Sequence, residues 1–204
     1  MDYLKLTGFA LVVLSSAIIF FLLLRKNESF FNVRNVVKKH FSLFENCRSQ
    51  YVVFYIMPLF FSIGLALIYC ADITFYSNMS VILGILISML FAILSILSSV
   101  DFSGYNKSQK DKANVVVLET VNAIVFDSIL CLALMLYSLV VTVISGIDFT
   151  AVSINETVWG IIKMFVSGIA YYLFTVILLT LMLIVKRMSK IIDFKLKAKK
   201  EDNQ

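Results

Sequence analysis

A chain of 204 residues that is 60% hydrophobic and 15% charged, with a mean hydropathy of +0.93, is too apolar for a soluble domain. Its net charge of +5 does not mark a nucleic-acid binder either. The surplus sits in gaps between apolar runs, where each Lys or Arg beside anionic lipid gains about 1 kcal/mol, so membrane lipid is the expected partner and direct nucleic-acid contact is not.

Apolar stretches run over about 3–24, 52–71, 80–100, 120–147 and 158–185. At about 1.5 Å per residue each can cross about 30 Å of hydrocarbon as a helix. The first, Tyr3–Leu24, stops at Arg25–Lys26. Those basic residues follow the run and no small-x-small cleavage site is present, so it reads as a retained anchor rather than a cleaved signal.

Residues 25–51 form a basic amphipathic loop. Within Ser29–Phe44, helical spacing puts Phe30, Val33, Val37, Phe41 and Phe44 on one arc, with Arg34, Lys38 and Lys39 opposite. Such a helix is expected in the headgroup plane, Phe face down, its basic face free for lipid or a partner. Docking of the same apolar face on another protein helix is the alternative. His40 lies toward the apolar arc and reads as an amphipathic filler, with a pH switch as the rival.

The second run contains Pro58, which removes a backbone donor and kinks its helix. Asp72–Met79 is expected as the loop that follows. The third run carries Gly84, Ser88 and Ala92 at four-residue spacing, a stripe expected to pack helices closely, within the protomer or between protomers. A Ser-lined pore is the competing reading. From Lys112 to Ile144 there is no Pro or Gly, so one long helix is expected. It immerses Asp127 about a turn inside hydrocarbon, which costs a few kcal/mol unless the carboxylate snorkels, hydrogen-bonds or faces water. A subunit seam or an ion path is the functional alternative.

The last run begins near Trp159 and Lys163, interfacial anchors. Past Val185 the helical pattern persists through the basic tail, 186–204. Met188, Ile191 and Ile192 alternate with charged residues that include Lys190 and Lys197. The expected product is an amphipathic stalk whose apolar stripe must be covered by its own copies or by a partner.

Sixteen of the 18 Lys and Arg residues fall in the first gap, the third gap and the tail. Basic residues resist translocation, so these segments belong in the cytoplasm. The expected fold is an all-α polytopic helical bundle, N-out and C-in, multi-pass in a bacterial inner membrane. It has about five spans, or four if the first does not cross fully. Cys47, Cys70 and Cys131 show no metal-ligand spacing and read as reduced thiols. Nucleotide-binding, metalloprotease and hydrolase signatures are missing, and so are the broken half-helices of transporters; no enzyme, cofactor or metal is expected.

An anchor, a basic amphipathic loop, a span ending LSSVDFSGYN, and a long helix beginning VVLETVNAIVFDSIL together resemble the small multi-span subunits of bacterial anti-phage systems. Among these the chain resembles the membrane subunit of the Kiwa system, described with four spans. The resemblance implies a homo-oligomeric sensor of membrane change that recruits a cytosolic DNA-binding subunit, with no catalytic residues carried over. Independently of it, the residues favour a membrane scaffold or sensor over a depolarising pore, and a pore over a small transporter.

Topology is directly testable. Reporter fusions after residues 40, 75, 108, 152 and 200 should read in, out, in, out, in. The same side at 40 and 75 would mean that the second run does not cross.

Overall fold

A computed structural model describes residues 33–42, 48–100, 107–146 and 156–201, together with Thr7, Gly8, Leu11, Leu14, Ser15 and Ile18, which are helical. The rest of the expected first span lies outside the described residues, as do Phe30 and Phe44. Every described element is a helix.

Helix α1 is Val33–Ser42. Helix α2 starts at Arg48–Tyr51, passes through a π-helical turn at Val52–Ile56 and continues as Met57–Ile68. The wider turn has a local cause. Pro58 cannot donate, and just before it the Met57 N–H bonds the Val52 carbonyl five residues back. The perturbation expected at Pro58 is thus a change of helical register.

Helix α3, Ile73–Ser98, starts earlier than the sequence indicates. Asp72 caps it, its Oδ1 accepting the Phe75 N–H at 2.8 Å. The expected eight-residue loop Asp72–Met79 therefore shrinks to the non-helical residues 69–72. Helices α4 (Lys107–Ser145) and α5 (Glu156–Glu201) contain 39 and 46 residues. At 1.5 Å per residue they reach about 58 and about 69 Å, roughly twice the hydrocarbon thickness.

Among the described residues four segments are long and apolar enough to cross a membrane: Ser49–Ile68, Ile73–Ser98, Gln109–Ser145 and Glu156–Lys195. These segments mark a multi-pass membrane protein whose described elements are all helical. Helix α3 packs on α4, α4 on α5 and α5 on α2, while α1 packs on α4.

The core follows one seam of α4. Thr120, Ile124, Asp127, Cys131, Leu134 and Ser138 recur at alternating four- and three-residue steps, and none is more than 1% exposed. Leu83, Leu90 and Leu97 of α3 and Ala170, Ile177, Ile184 and Ile191 of α5 complete it, at seven-residue steps. Far from the basic tail, hydroxyls tie the helices together. The Ser138 hydroxyl donates to the Tyr76 carbonyl at 2.9 Å, and Tyr137 donates to the Val166 carbonyl at 2.8 Å. The Ala71 N–H donates to Ser167 Oγ at 2.9 Å.

Two expectations are narrowed, the small stripe to packing outside the protomer and the stalk stripe to partial cover by this chain. Ser88 and Ala92 are exposed, and a Cβ built on Gly84 meets nothing within 4 Å. The small stripe therefore points away from the protomer core, because the Leu83–Leu90–Leu97 line on the other side of α3 makes the packing face. The stalk's apolar stripe is covered in part by this chain itself: Ile191 is buried in the common core, with Val116, Val117 and Met188 packed against that core, while Ile192 stays exposed. The extended N-terminal half of α4 supplies this cover.

Leu90→Ala should lower unfolding stability in detergent by about 2–5 kcal/mol. Gly84→Ala, with open space around it and a better helix former in place of Gly, should be neutral or gain up to about 1 kcal/mol. Equal losses at both positions would contradict this assignment of faces.

Candidate functional site

At the end of the bundle where the basic residues gather, α1 docks on α4 through His40 and Phe41. His40 is fully buried, its ring stacked on Phe126 with centroids 3.8 Å apart and planes 9° from parallel. Its Nε2 is hydrogen-bonded to the Tyr55 hydroxyl at 2.8 Å. Phe41 lies against Tyr55 at 5.0 Å and edge-on to Phe126 at 6.4 Å. Tyr51 extends the aromatic group, 5.2 Å from Tyr55. The π-helical turn of α2 contains Tyr55, so the register change before Pro58 lies within this group.

Beside this cluster Arg187 of α5 pairs with Glu119 of α4. Nη2 stands 3.3 Å from Oε2, and Nη1 donates to the Glu119 backbone carbonyl at 3.0 Å. The Arg187 side chain is 14% exposed and that of Glu119 37%, so the clamp is shielded from water mainly on the arginine side. Next to Phe126, Asp127 is 0% exposed and neither carboxylate oxygen has a hydrogen-bond partner among the described residues.

These positions revise several expectations. The apolar arc of α1 faces a helix of its own chain instead of lying down on lipid, because Phe126, Tyr55 and Tyr51 offer it an aromatic surface. His40 is a buried contact, not a filler. Asp127 does not snorkel: it is buried inside the protomer, with no hydrogen-bond partner among the described residues. Arg34, Lys38, Lys39 and Lys190 are all exposed, as a basic outer surface requires. The side chain of Lys197 lies outside the described residues. The Arg187–Glu119 clamp and the His40–Tyr55 bond were not foreseen. The partial signals were His40 on the apolar arc of α1 and Glu119 and Phe126 on one face of α4.

Among the described residues no group of three His, Cys, Asp or Glu side chains is placed to hold a metal ion. Two grooves, of about 410 and 380 Å³, lie between α2 and α5, and their linings share no residue with the cluster. The site's chemistry is therefore that of charge held away from water. Comparisons with family models, curated proteins and solved structures return no match.

Burial, and after it the positive charge of Arg187, pushes His40 down from 6.5 to about 4. A released α1 binds a proton below pH 6.5 that the docked helix refuses. Docking is then at full strength above pH 6.5 and weakens as the pH falls toward 4, by roughly 3 kcal/mol at the limit. Thermal stability of wild type should therefore drop between pH 7.5 and 4.5, whereas His40→Phe, which keeps the stack and cannot titrate, should lose much less. Parallel profiles would mean that His40 is not desolvated.

Proposed function

We propose that this protein is a non-enzymatic membrane scaffold or sensor subunit that forms a homo-oligomer and recruits a cytosolic protein. The orientation is N-out and C-in, in a bacterial inner membrane, because the basic residues gather at one end. One observation carries the reading: α4 and α5 are far longer than a span requires, and they leave the bundle together at the basic end. A plain anchor needs no such projection.

With the inner stripe of the stalk covered by α4, the surface left for a partner is its outside. There Val115, Leu118 and Ile192 are exposed beside Lys110, Lys112 and Lys190. Apolar and basic side chains interspersed on a helical surface suit an acidic, amphipathic partner element. Arg34, Lys38 and Lys39 on docked α1 add a second basic face nearby. On α3 the outward stripe Gly84, Ser88 and Ala92 is the surface on which copies would approach closely. The resemblance to anti-phage membrane subunits agrees with this reading, and a cytosolic DNA-binding subunit is the kind of partner it implies.

The test is Val115→Asp combined with Ile192→Asp. Both positions are exposed, so insertion and thermal stability should stay as in wild type while co-purification of the cytosolic partner falls at least tenfold. If partner recovery is unchanged, or if the variant protein alone depolarises cells as strongly as wild type on induction, the scaffold reading fails and the pore is favoured.

A further inference from the structure

Of the two grooves between α2 and α5, the one of about 410 Å³ lies at the basic end, and its chemistry comes in a definite order. The rim is polar: Lys186 of α5 stands there with Ser49 and Gln50 of α2, all three exposed. About one turn deeper the walls are apolar, made by Met182 and Leu183 with Val53 and Phe54. Lys186 also ends the apolar stretch 158–185, so the rim lies where hydrocarbon gives way to headgroups.

A groove between spanning helices is filled by lipid or by protein, because an apolar wall without a neighbour forfeits its dispersion contacts. Its volume falls in the range of small-ligand sites, about 300–1,000 Å³. A helix of a second copy seated here would carry its apolar face over Lys186 and take that ammonium out of water. A phosphate turns the same burial into a charge-assisted pair. The described lining contains no acidic side chain, and Lys190 is exposed one turn beyond Lys186. The nearby Glu119 is held by Arg187. Charge at the rim is therefore positive, which favours a lipid of net negative charge over a zwitterionic one whose ammonium would meet Lys186.

We propose that this groove is a binding site for an anionic phospholipid of the leaflet at the basic end. The lipid phosphate pairs with Lys186 and accepts hydrogen bonds from Ser49 and Gln50, while one acyl chain lies against Phe54 and Leu183. Phe54 and Leu183 also pack against the buried pair Tyr55 and Val176, as does Phe41 of α1. The acyl chain and α1 thus lean on one cluster. The π-helical turn Val52–Ile56 supplies Phe54 to the first and Tyr55, bonded to His40, to the second. The site requires nothing of the stalk, so it stands whether or not a partner binds there.

The experiment is tryptophan quenching by chain-brominated lipid, on the full chain in vesicles of phosphatidylcholine and phosphatidylglycerol in equal parts. Trp159→Phe with Met182→Trp makes the exposed groove residue the single indole. Val185→Trp in the same background, exposed on α5 outside the groove lining, reports general lipid contact. Moving the bromine from one lipid to the other should show phosphatidylglycerol preferred at least threefold at Met182→Trp, and no more than half as strongly at Val185→Trp. Adding Lys186→Gln should bring the groove preference down to the Val185→Trp value. If Met182→Trp does not insert, Val53→Trp takes its place. Equal preference at both positions overturns the proposal as ordinary lipid contact, and so does a preference that survives Lys186→Gln. An indole in the groove that neither lipid quenches overturns it too, and means that the first apolar stretch or a second copy fills the groove.

Discussion

A polar side chain that enters hydrocarbon is stable only with a partner inside the protein. On α4 Thr120 and Ser138 meet that constraint, while Asp127 has no partner among the described residues. Helix α4 touches α1, α3 and α5, and its buried seam alternates apolar residues with Thr120, Asp127 and Ser138. Leu134 and Ile124 supply bulk against the leucine line of α3 and the isoleucine line of α5. Lipid is as apolar as leucine, so burial alone gives these helices little reason to associate. Close fit and satisfied hydroxyls have to do it, and Ser138 contributes both by bonding the Tyr76 backbone and lying 2.8 Å from Ser80 Oγ.

The two ends of the bundle solve the problem with different chemistry. Around residues 69–72 the ties are neutral: Ser167 accepts from the Ala71 N–H, Tyr171 donates to the Tyr69 carbonyl, and Ala66 Cβ lies 3.6 Å from a Cβ built on Gly168. Neutral hydrogen bonds are indifferent to pH and to ionic strength. At the basic end the ties are ionisable or charged, with His40 on Tyr55 and Arg187 on Glu119. A change in local charge therefore acts on the ties between helices at the basic end, whereas at the other end the charged Asp72 caps its own helix.

How much of this was legible follows from what each signal measures. Apolar run length reports hydrocarbon, and it marked the regions of all four candidate spans. It cannot report capping, so Asp72 moved a boundary that hydropathy had placed some seven residues later. Small-residue spacing marks a face on which backbones can meet, but not which neighbour uses it. On α3 the neighbour inside the protomer chose leucines instead. The periodicity of Ser29–Phe44 identified an apolar arc, and lipid and Phe126 satisfy such an arc equally well. Only the tertiary arrangement decides between them. Asp127 stood out by immersion alone, whereas its lack of a partner among the described residues depends on the helices packed around α4.

Placement of His40 constrains how α1 can leave its seat. The stack on Phe126 and the bond to Tyr55 join three helices through a single side chain. Moving α1 outward breaks both contacts at once and exposes an aromatic surface made by α2 and α4. Moving α4 or α2 instead would disturb the same two contacts from the other side. A displacement of α2 or α4 at the basic end and a pull on α1 thus act on the same two contacts. Arg187, one helix away, stays clamped to Glu119 and holds α4 to α5 while this happens. The clamp and the His40 contacts share no residue, so loss of the α1 contacts removes no tie between α4 and α5 at Arg187 and Glu119.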